Sequence, residues 1–167
     1  MQDKDSSYYR ILGIDPGTQI TGIGIIDVSE KGELKLCHYD AIRTKRSIPF
    51  AERLREIYKG IEYLLEKYTP DCVAVEDIFY SENVKTAIVM GHARGVTLLA
   101  PVMKDIEIAE YSPREVKLAV VGNGAASKEQ VQFMVKNILK LKDNIKPADA
   151  ADALAVAICH HNRAKKY

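Results

Sequence analysis

The 167-residue chain is 47% hydrophobic and 28% charged, which is typical of one soluble globular domain. Its longest apolar runs fall far short of the roughly 18 to 20 residues that a transmembrane helix needs, and the polar residues 1–9 lack the apolar stretch of a signal peptide. We therefore expect a cytoplasmic protein with no membrane partner. Three widely spaced cysteines, Cys37, Cys72 and Cys159, favour reduced thiols over a disulfide framework or a zinc site.

The net charge of +1 hides an uneven distribution of charge along the chain. Residues 1–110 carry 14 Lys and Arg against 18 Asp and Glu, whereas residues 111–167 carry 10 against 5. An acidic centre beside a basic surface would suit a polyanion that is held near a metal ion. A chance distribution of solvated charges accounts for the same counts equally well.

The first half of the chain predicts three strands and then a helix. Apolar runs at 10–15 and 22–28 predict an antiparallel hairpin, and residues 34–42 predict a third strand. Two glycines in the second run indicate close approach of another part of the backbone. The apolar spacing over 50–68 is typical of a helix with one buried face.

The second half of the chain alternates strands with helices. The expected elements, in order, are a strand over 71–77, a helix over 84–102, a strand over 106–111, helices that begin at capping boxes on Ser112 and Ser127, and an alanine-rich helix over 148–161. Because alanine side chains are small, the last helix can lie very close to the sheet.

This order predicts an α/β domain with a mixed five-stranded sheet flanked by helices, in which an antiparallel hairpin is joined to parallel strands through helical crossovers. We place the domain at residues 10–162, between a flexible N-terminal tail at 1–9 and a basic C-terminal tail at 163–167. Gly91 and Gly95 lie four residues apart on the long helix, so they share a face that permits close packing.

Four acidic residues stand out because of where they lie. Asp15 and Glu76 each follow an apolar strand, and they become neighbours if the first and fourth strands are adjacent in the sheet. Asp149 and Asp152 lie three residues apart among alanines on the last helix, which can pack across those strand ends. Four carboxylates cannot stay ionised together without cations, and hard oxygen ligands favour Mg²⁺ or Mn²⁺. We therefore predict two Mg²⁺ ions, for which Mn²⁺ can substitute, acting on a phosphodiester.

Each acid also has an ordinary structural explanation. Asp15 precedes a Pro-Gly turn, and Glu76 can be an acid at the edge of the sheet. Asp149 lies near a helix N-terminus, where the helix dipole favours an anion, and Asp152 can be a solvated helix residue. The joint pattern of four acids is what favours a metal site.

Five motifs occur in order along the chain: ILGIDPGTQITGIGII, VAVEDIF, GHARGV, VKLAVVGNGAASKEQVQ and PADAADALAVAICH. Together they resemble the RuvC family of Holliday junction resolvases, over about residues 10 to 161. The resemblance implies an RNase H-like fold and a metal-dependent crossover junction endodeoxyribonuclease that acts in homologous recombination and DNA repair. It implies a homodimer that makes paired nicks in opposing strands of four-way junction DNA, leaving 5′-phosphate and 3′-hydroxyl ends. It also suggests a partnership with a branch-migration complex of RuvA- and RuvB-type proteins.

The resemblance assigns roles to charged residues already noted. The family's metal-binding acids fall on the same four carboxylates, Asp15, Glu76, Asp149 and Asp152. Lys117 and Lys128 match family lysines near the scissile phosphate, where a lysine neutralises phosphate charge. The alternative for each lysine is a solvated position on a helix.

Aromatic and further basic residues complete the candidate DNA contacts. Phe79 follows the family's Glu-x-x-aromatic pattern, which implies stacking on bases opened at the crossover, although a core phenylalanine that closes the strand end is the alternative. Tyr80 shares the stacking role or is a surface residue. Arg43 and Arg114 are candidates for phosphate contacts, with no ranking among the basic residues. We reject His160-His161 as a metal site, because adjacent side chains on a helix point about 100° apart.

Two other functional classes remain as alternatives. The stretch Asp15-Pro16-Gly17-Thr18 also looks like the first phosphate-binding hairpin of actin-like ATPases and sugar kinases. Those folds need two related domains and further nucleotide motifs, and the acids of the last helix have no place in them. A non-catalytic junction-binding protein is the third class, and its mark would be a lost acid, whereas all four are present.

Overall fold

The structure is a computed structural model that describes residues 8–77 and 83–164. Ten elements lie within these residues: β1 (Tyr8–Asp15), β2 (Ile20–Ser29), β3 (Leu34–Arg43), α1 (Phe50–Tyr68), β4 (Cys72–Glu76), α2 (Val84–Val102), β5 (Glu107–Tyr111), α3 (Pro113–Val121), α4 (Lys128–Ile138) and α5 (Ala148–Arg163).

The five strands form one mixed sheet in the order β3-β2-β1-β4-β5. β1 lies at the centre, where it pairs antiparallel with β2 and parallel with β4. β3 adds to β2 antiparallel, and β5 adds to β4 parallel. The mixed five-stranded sheet flanked by helices that the sequence predicts is therefore confirmed.

Local signals place several helix ends. The helices over 50–68 and 84–102 have the predicted bounds. Both predicted capping boxes form: the Ser112 hydroxyl accepts from the Glu115 amide, and the Ser127 hydroxyl accepts from the Gln130 amide. Gly122 ends α3 with a φ of 80°, a left-handed conformation that glycine adopts without steric cost.

The folded unit is wider at both ends than the range 10–162 expected from sequence. β1 begins at Tyr8, which pairs with Ser29, because aromatic residues favour a pleated sheet surface. At the other end, α5 includes Arg163, whose guanidinium lies 3.0 Å from the Glu115 carboxylate. Residues 8, 9 and 163 therefore belong to the fold rather than to tails.

Two hydrophobic clusters cover the two faces of the sheet. On one face, side chains of β1 and β2 such as Ile11 and Ile26 pack with α3, α4 and α5, including Val131 and Leu154. On the opposite face, other strand side chains pack with α1 and α2. The helices thus form layers on both sides of the sheet, and α5 lies directly across its central strands.

Glycines in the two central strands allow α5 to approach the sheet at backbone distance. A Cβ atom on Gly13 would lie 2.0 Å from the Ala153 carbonyl oxygen. One on Gly22 would lie 2.0 Å from the Asp149 carbonyl oxygen, and one on Gly24 would lie 2.6 Å from Leu154. The close approach predicted from the glycines of β2 is confirmed.

The exposed side of α2, which we call the α2 outer face, carries apolar residues along its whole length, with one exposed polar residue, His92, among them. Its members recur at helical spacing and are well exposed: Val84, Ile88, Gly91, Gly95, Leu99 and Val102. A Cβ on Gly91 or Gly95 would meet no heavy atom of the described residues within 4 Å. The small-residue face predicted there is therefore open rather than packed against these parts of the same chain.

No helix in the described parts of the chain is long and apolar enough to cross a membrane. The three cysteines are free thiols, and Cys72 and Cys159 are buried.

Candidate active site

Two of the predicted acids meet at one end of the central strands. Ile14 of β1 is in register with Val75 of β4, and the two strands run parallel. Asp15 and Glu76 are the next residues, and each is the last residue of its strand. Because the carboxyl ends of parallel strands lie at the same edge of a sheet, the two carboxylates lie side by side.

The other two acids reach this edge on α5. Asp149 lies in the first turn of the helix, with its backbone against Gly22, and Gly22 is the pairing partner of Asp15. Asp152 follows almost one helical turn later, so it points in a similar direction. The contact between α5 and β2 therefore brings all four predicted acids to the same end of the sheet.

A cleft of about 290 Å³ opens at this edge. Its polar lining consists of Asp15, Glu76, Asp152, Lys117 and Lys128. Its apolar walls come from α3, α4 and α5, as the side chains of Pro113, Val116, Val131 and Ala155. Asp149 lies beside the cleft rather than in its lining, although its charge acts on Asp15.

Crowding of negative charge makes the first two acids hard to ionise. Burial, together with the charges of Glu76, Asp152 and Asp149, raises the pKa of Asp15 from 3.8 to about 8. Burial and the charge of Asp152 raise the pKa of Glu76 from 4.5 to about 7, against the lowering effect of a hydrogen bond with Asp15 and of the charges of Lys128 and Lys117. This edge of the sheet therefore attracts cations.

Lys128 supplies one such cation from within the chain. Its ammonium lies 3.0 Å from Asp152 Oδ2, which is 14% exposed, whereas the lysine side chain is 72% exposed. Lys128 is the first residue of α4, where the helix dipole disfavours positive charge. The acids of the cleft, rather than the helix, therefore account for the position of this lysine.

The donor set fits a hard divalent cation, since all four acids offer oxygen ligands. Within residues 8–77 and 83–164, however, no group of three or more His, Cys, Asp or Glu side chains forms a preassembled metal centre. The ion pair between Lys128 and Asp152 engages one of the candidate ligands. A metal ion would therefore have to compete with Lys128 for Asp152.

The loop that follows Asp15 is fixed by an arginine for which the sequence carried no signal. The Thr18 carbonyl oxygen accepts hydrogen bonds from Arg53 Nη2 at 2.6 Å and from the Thr44 hydroxyl at 2.6 Å. Arg53 Nε lies 3.2 Å from the same oxygen. Arg53 is on α1 and Thr44 follows β3, so contacts distant in sequence hold this loop in place.

The remaining candidates lie outside the cleft lining. Arg114 is exposed on α3, where its side chain packs beside Gly124. Arg43 is exposed at the end of β3, opposite Ile20. Phe79 and Tyr80 lie outside the described residues.

Of the two histidines that we rejected as a metal site, His160 lies on the core side of α5 and His161 is half-buried. His160 is buried, and its Nδ1 lies 2.9 Å from the Tyr111 hydroxyl. Burial lowers the pKa of both His160 and His161. These features indicate a structural role for His160.

The mixed five-stranded sheet, with acids at the ends of its central parallel strands and on the helix that crosses them, defines an RNase H-like domain. The family model for crossover junction endodeoxyribonuclease RuvC matches residues 11–160. The crossover junction endodeoxyribonuclease RuvC of Desulforamulus reducens is 50% identical over 150 residues, which cover 90% of this chain and 91% of that protein. The chain belongs to the RuvC family.

Solved structures agree with this assignment. The structure of Thermus thermophilus RuvC has a TM-score of 0.84 and 35% identity, covering 92% of this chain and 93% of that one. The Thermus thermophilus RuvC complex with a Holliday junction substrate has a TM-score of 0.85 and 35% identity, covering 91% and 92% of the two chains. The hairpin at Asp15 therefore belongs to a RuvC-family domain rather than to an actin-like ATPase.

Proposed function

We propose that this protein is a structure-selective endonuclease that resolves four-way junctions in recombination and repair, by metal-dependent nicks in opposing strands. The observation that carries the proposal is the cleft in which Asp15, Glu76 and Asp152 lie beside two lysines. Membership of the RuvC family, and the junction complex of its Thermus thermophilus member, support the choice of substrate.

Asp15, Glu76, Asp149 and Asp152 are the residues that would hold the metal, with Mg²⁺ as the expected ion and Mn²⁺ as a substitute. When bound, two such ions supply an activated water and charge stabilisation at the leaving oxygen of a phosphodiester. The raised pKa values of Asp15 and Glu76 support this assignment, because burial and neighbouring negative charge both disfavour the ionised carboxylates that a cation would stabilise.

The two lysines would act on the DNA. Lys117 and Lys128 line the cleft on α3 and α4, so each can contact a phosphate that enters it. When another cation neutralises Asp152, the Lys128 ammonium can turn from that carboxylate to the phosphate. Positive charge there stabilises the extra negative charge of the transition state. Val116, Val131 and Ala155 give the cleft an apolar wall on the side of the helices.

Paired nicks require two active sites, which we propose a homodimer provides through the α2 outer face. In-line attack of water on the phosphorus, with cleavage of the bond to the 3′ oxygen and protonation of that oxygen, would leave 5′-phosphate and 3′-hydroxyl ends. We also propose action in the cytoplasm, in partnership with a branch-migration complex of RuvA- and RuvB-type proteins. Added RuvA- and RuvB-type proteins should raise the cleavage rate, and an unchanged rate would count against that partnership.

The stacking role of Phe79, with Tyr80 as a second candidate, stays a prediction from the family resemblance. Phe79→Ala should weaken cleavage and reduce the fluorescence change of 2-aminopurine placed at the crossover. Unchanged fluorescence would contradict the role in base stacking. Arg43 and Arg114 stay candidates for contacts to phosphates farther from the cleft, where their exposure leaves them accessible.

The decisive experiment compares a synthetic four-way junction with a linear duplex of the same sequence, with and without Mg²⁺. The wild type should nick opposing strands of the junction alone, and only with metal. Asp15→Asn and Glu76→Gln should lower the cleavage rate at least about 100-fold. Loss of a residue that only hydrogen-bonds to a metal ligand already lowers activity by up to that factor. Both variants should still bind the junction in Ca²⁺.

A matched control is Asp143→Asn, because Asp143 is an exposed acid on the loop before α5. This variant should cleave like the wild type. Full Mg²⁺-dependent activity of Asp15→Asn would refute the metal-site assignment. Junction binding by the wild type with no cleavage would instead favour the non-catalytic alternative.

A further inference from the structure

We propose that Arg94 is a positioning residue for the reaction, because it ties α2 to the segment that follows Glu76 and so keeps that carboxylate in place. The inference rests on the proposed function. It gives a role to the GHARGV motif of residues 91–96, which the cleft itself does not use.

Arg94 reaches from the middle of α2 to the ends of two strands. Its Nη2 atom lies 3.2 Å from Asp77 Oδ1 and also pairs with the carboxylate of Glu110 on β5. Asp77 immediately follows Glu76 in the chain, and its amide donates to the Tyr111 carbonyl at 2.7 Å. The guanidinium and β5 therefore hold the residue after Glu76 from two directions.

In this contact one guanidinium lies between two carboxylates. Glu110 is in register with Val75, so the carboxylates of Glu110 and Asp77 project from adjacent strands close to the same point. Both pair with one guanidinium; the Arg94 side chain is 25% exposed, whereas those of Asp77 and Glu110 are 49% and 46% exposed. Without Arg94, two like charges would repel each other at the end of β4. That repulsion would act on the backbone that carries Glu76.

The position of Arg94 on α2 adds a second consequence. Its neighbour Gly95 belongs to the α2 outer face, the proposed dimer interface, whereas the Arg94 side chain points to the strand ends. A shift of α2 would therefore move Asp77 directly. Arg94 is thus one described contact through which packing of a second copy on α2 would reach the residue beside a candidate metal ligand.

A matched control is available just beyond the C-terminal end of α2. Lys104, just after α2, pairs with Glu66 of α1 at 2.8 Å. This ion pair also holds the end of α2 to the rest of the domain, but neither partner is on β4. A comparison of variants at Lys104 and Arg94 therefore distinguishes weaker attachment of α2 in general from loss of the contact to Asp77.

The experiment uses the full chain and measures three quantities for each variant: the single-turnover cleavage rate, the junction Kd in Ca²⁺, and Mn²⁺ binding by calorimetry without DNA. Arg94→Met should lower the cleavage rate and the Mn²⁺ affinity about 10- to 100-fold, the range for partners that orient metal ligands. Its junction Kd should be unchanged. Arg94→Lys should recover part of the loss, and Lys104→Met should match the wild type.

Asp77→Asn should reproduce the effects of Arg94→Met, and the double variant should be no worse than either, because both act through one contact. If Arg94→Met fails to fold by circular dichroism, Asp77→Asn and Arg94→Lys decide the question. Wild-type rates and Mn²⁺ affinity in the Arg94 variants, or losses that multiply in the double variant, would overturn the inference. Failure of the wild type itself to cleave would instead contradict the proposed function.

Discussion

At the scale of single residues, the buried carboxyl groups of the cleft lower the stability of the metal-free fold. Asp15 is buried among like charges at the end of β1, and burial together with those charges raises the pKa of its carboxyl to about 8. A carboxyl group with a raised pKa prefers its protonated form in the folded protein. Ionisation of Asp15 therefore costs folding free energy whenever no cation is present.

The sign of this effect gives a prediction for the metal-free protein. In the unfolded chain Asp15 ionises near its ordinary pKa of 3.8, whereas in the fold it ionises near 8. Between these values the folded state binds more protons, so the free energy of unfolding falls as the pH rises. Asp15→Asn should therefore melt above the wild type at pH 8 in EDTA, by about 2–4 °C for each kcal/mol gained.

The measurement is thermal unfolding at pH 4 and pH 8, with and without Mg²⁺. The difference between Asp15→Asn and the wild type should be small at pH 4, and Mg²⁺ should shrink it at pH 8. Asp143→Asn, on an exposed loop, should follow the wild type at both values. A pH-independent difference between Asp15→Asn and the wild type would show that the raised pKa of Asp15 is not its cause.

At the scale of elements, the packing of α5 on β1 and β2 controls the position of two acids at once. The strands present glycines to the helix, and the helix presents a buried alanine-rich surface. With so little side chain between them, the helix backbone lies directly on the strand backbone. A small change in the strands therefore displaces Asp149 and Asp152 relative to Asp15.

Gly22→Ala tests this coupling. Its new methyl group would lie 2.0 Å from the Asp149 carbonyl oxygen, so the helix would have to shift. We expect a loss of about 1–3 kcal/mol in the free energy of unfolding, the usual cost of overpacking, measured by denaturant titration. If Gly22→Ala folds, its affinity for Mn²⁺ should be lower than that of the wild type.

Gly91→Ala is the matched control when both variants are compared at a protein concentration at which the chain is monomeric, because the described structure of one chain leaves open space around that position. It should keep or raise the stability of the fold, since alanine favours a helix over glycine by about 1 kcal/mol. Equal effects of the two substitutions would contradict the close contact between α5 and β2.

The elements show how far local sequence signals reach. Capping boxes and apolar spacing are local, and they placed helices such as Phe50–Tyr68 within the predicted bounds. The strand-end acids could be predicted because adjacent parallel strands end at one edge. By contrast, Arg53 and Arg94 act through partners on other elements, so their contacts leave no local pattern. The cleft walls likewise exist only after three helices have packed.

At the scale of the whole molecule, the α2 outer face exposes apolar side chains to solvent if the protein is a monomer. Its apolar side chains are strongly exposed, with Val84 at 69% and Ile88 at 57%. Contiguous exposed apolar surface of this kind marks interaction sites. Glycines at its centre would let a second helix approach closely.

Ile88→Asp should convert the proposed dimer to a monomer in light scattering, because a charge buried in an apolar interface is costly. Phe133→Asp serves as the control: Phe133 is 63% exposed on α4, away from α2, so its substitution should leave the mass unchanged. A wild-type protein that is monomeric at working concentration, or an Ile88→Asp variant that is still dimeric, would contradict this interface.

The order in which the elements are synthesised decides when the four acids can come together. Its acid Asp15 is synthesised early, and Glu76 follows, but Asp149 and Asp152 arrive only with α5. On the proposed assignment, a nascent chain on the ribosome carries half of the ligands and no helix across the strand ends. DNA cleavage must then wait until α5 has been made and has docked on the hairpin. Incomplete translation products that lack α5 would be unable to nick DNA.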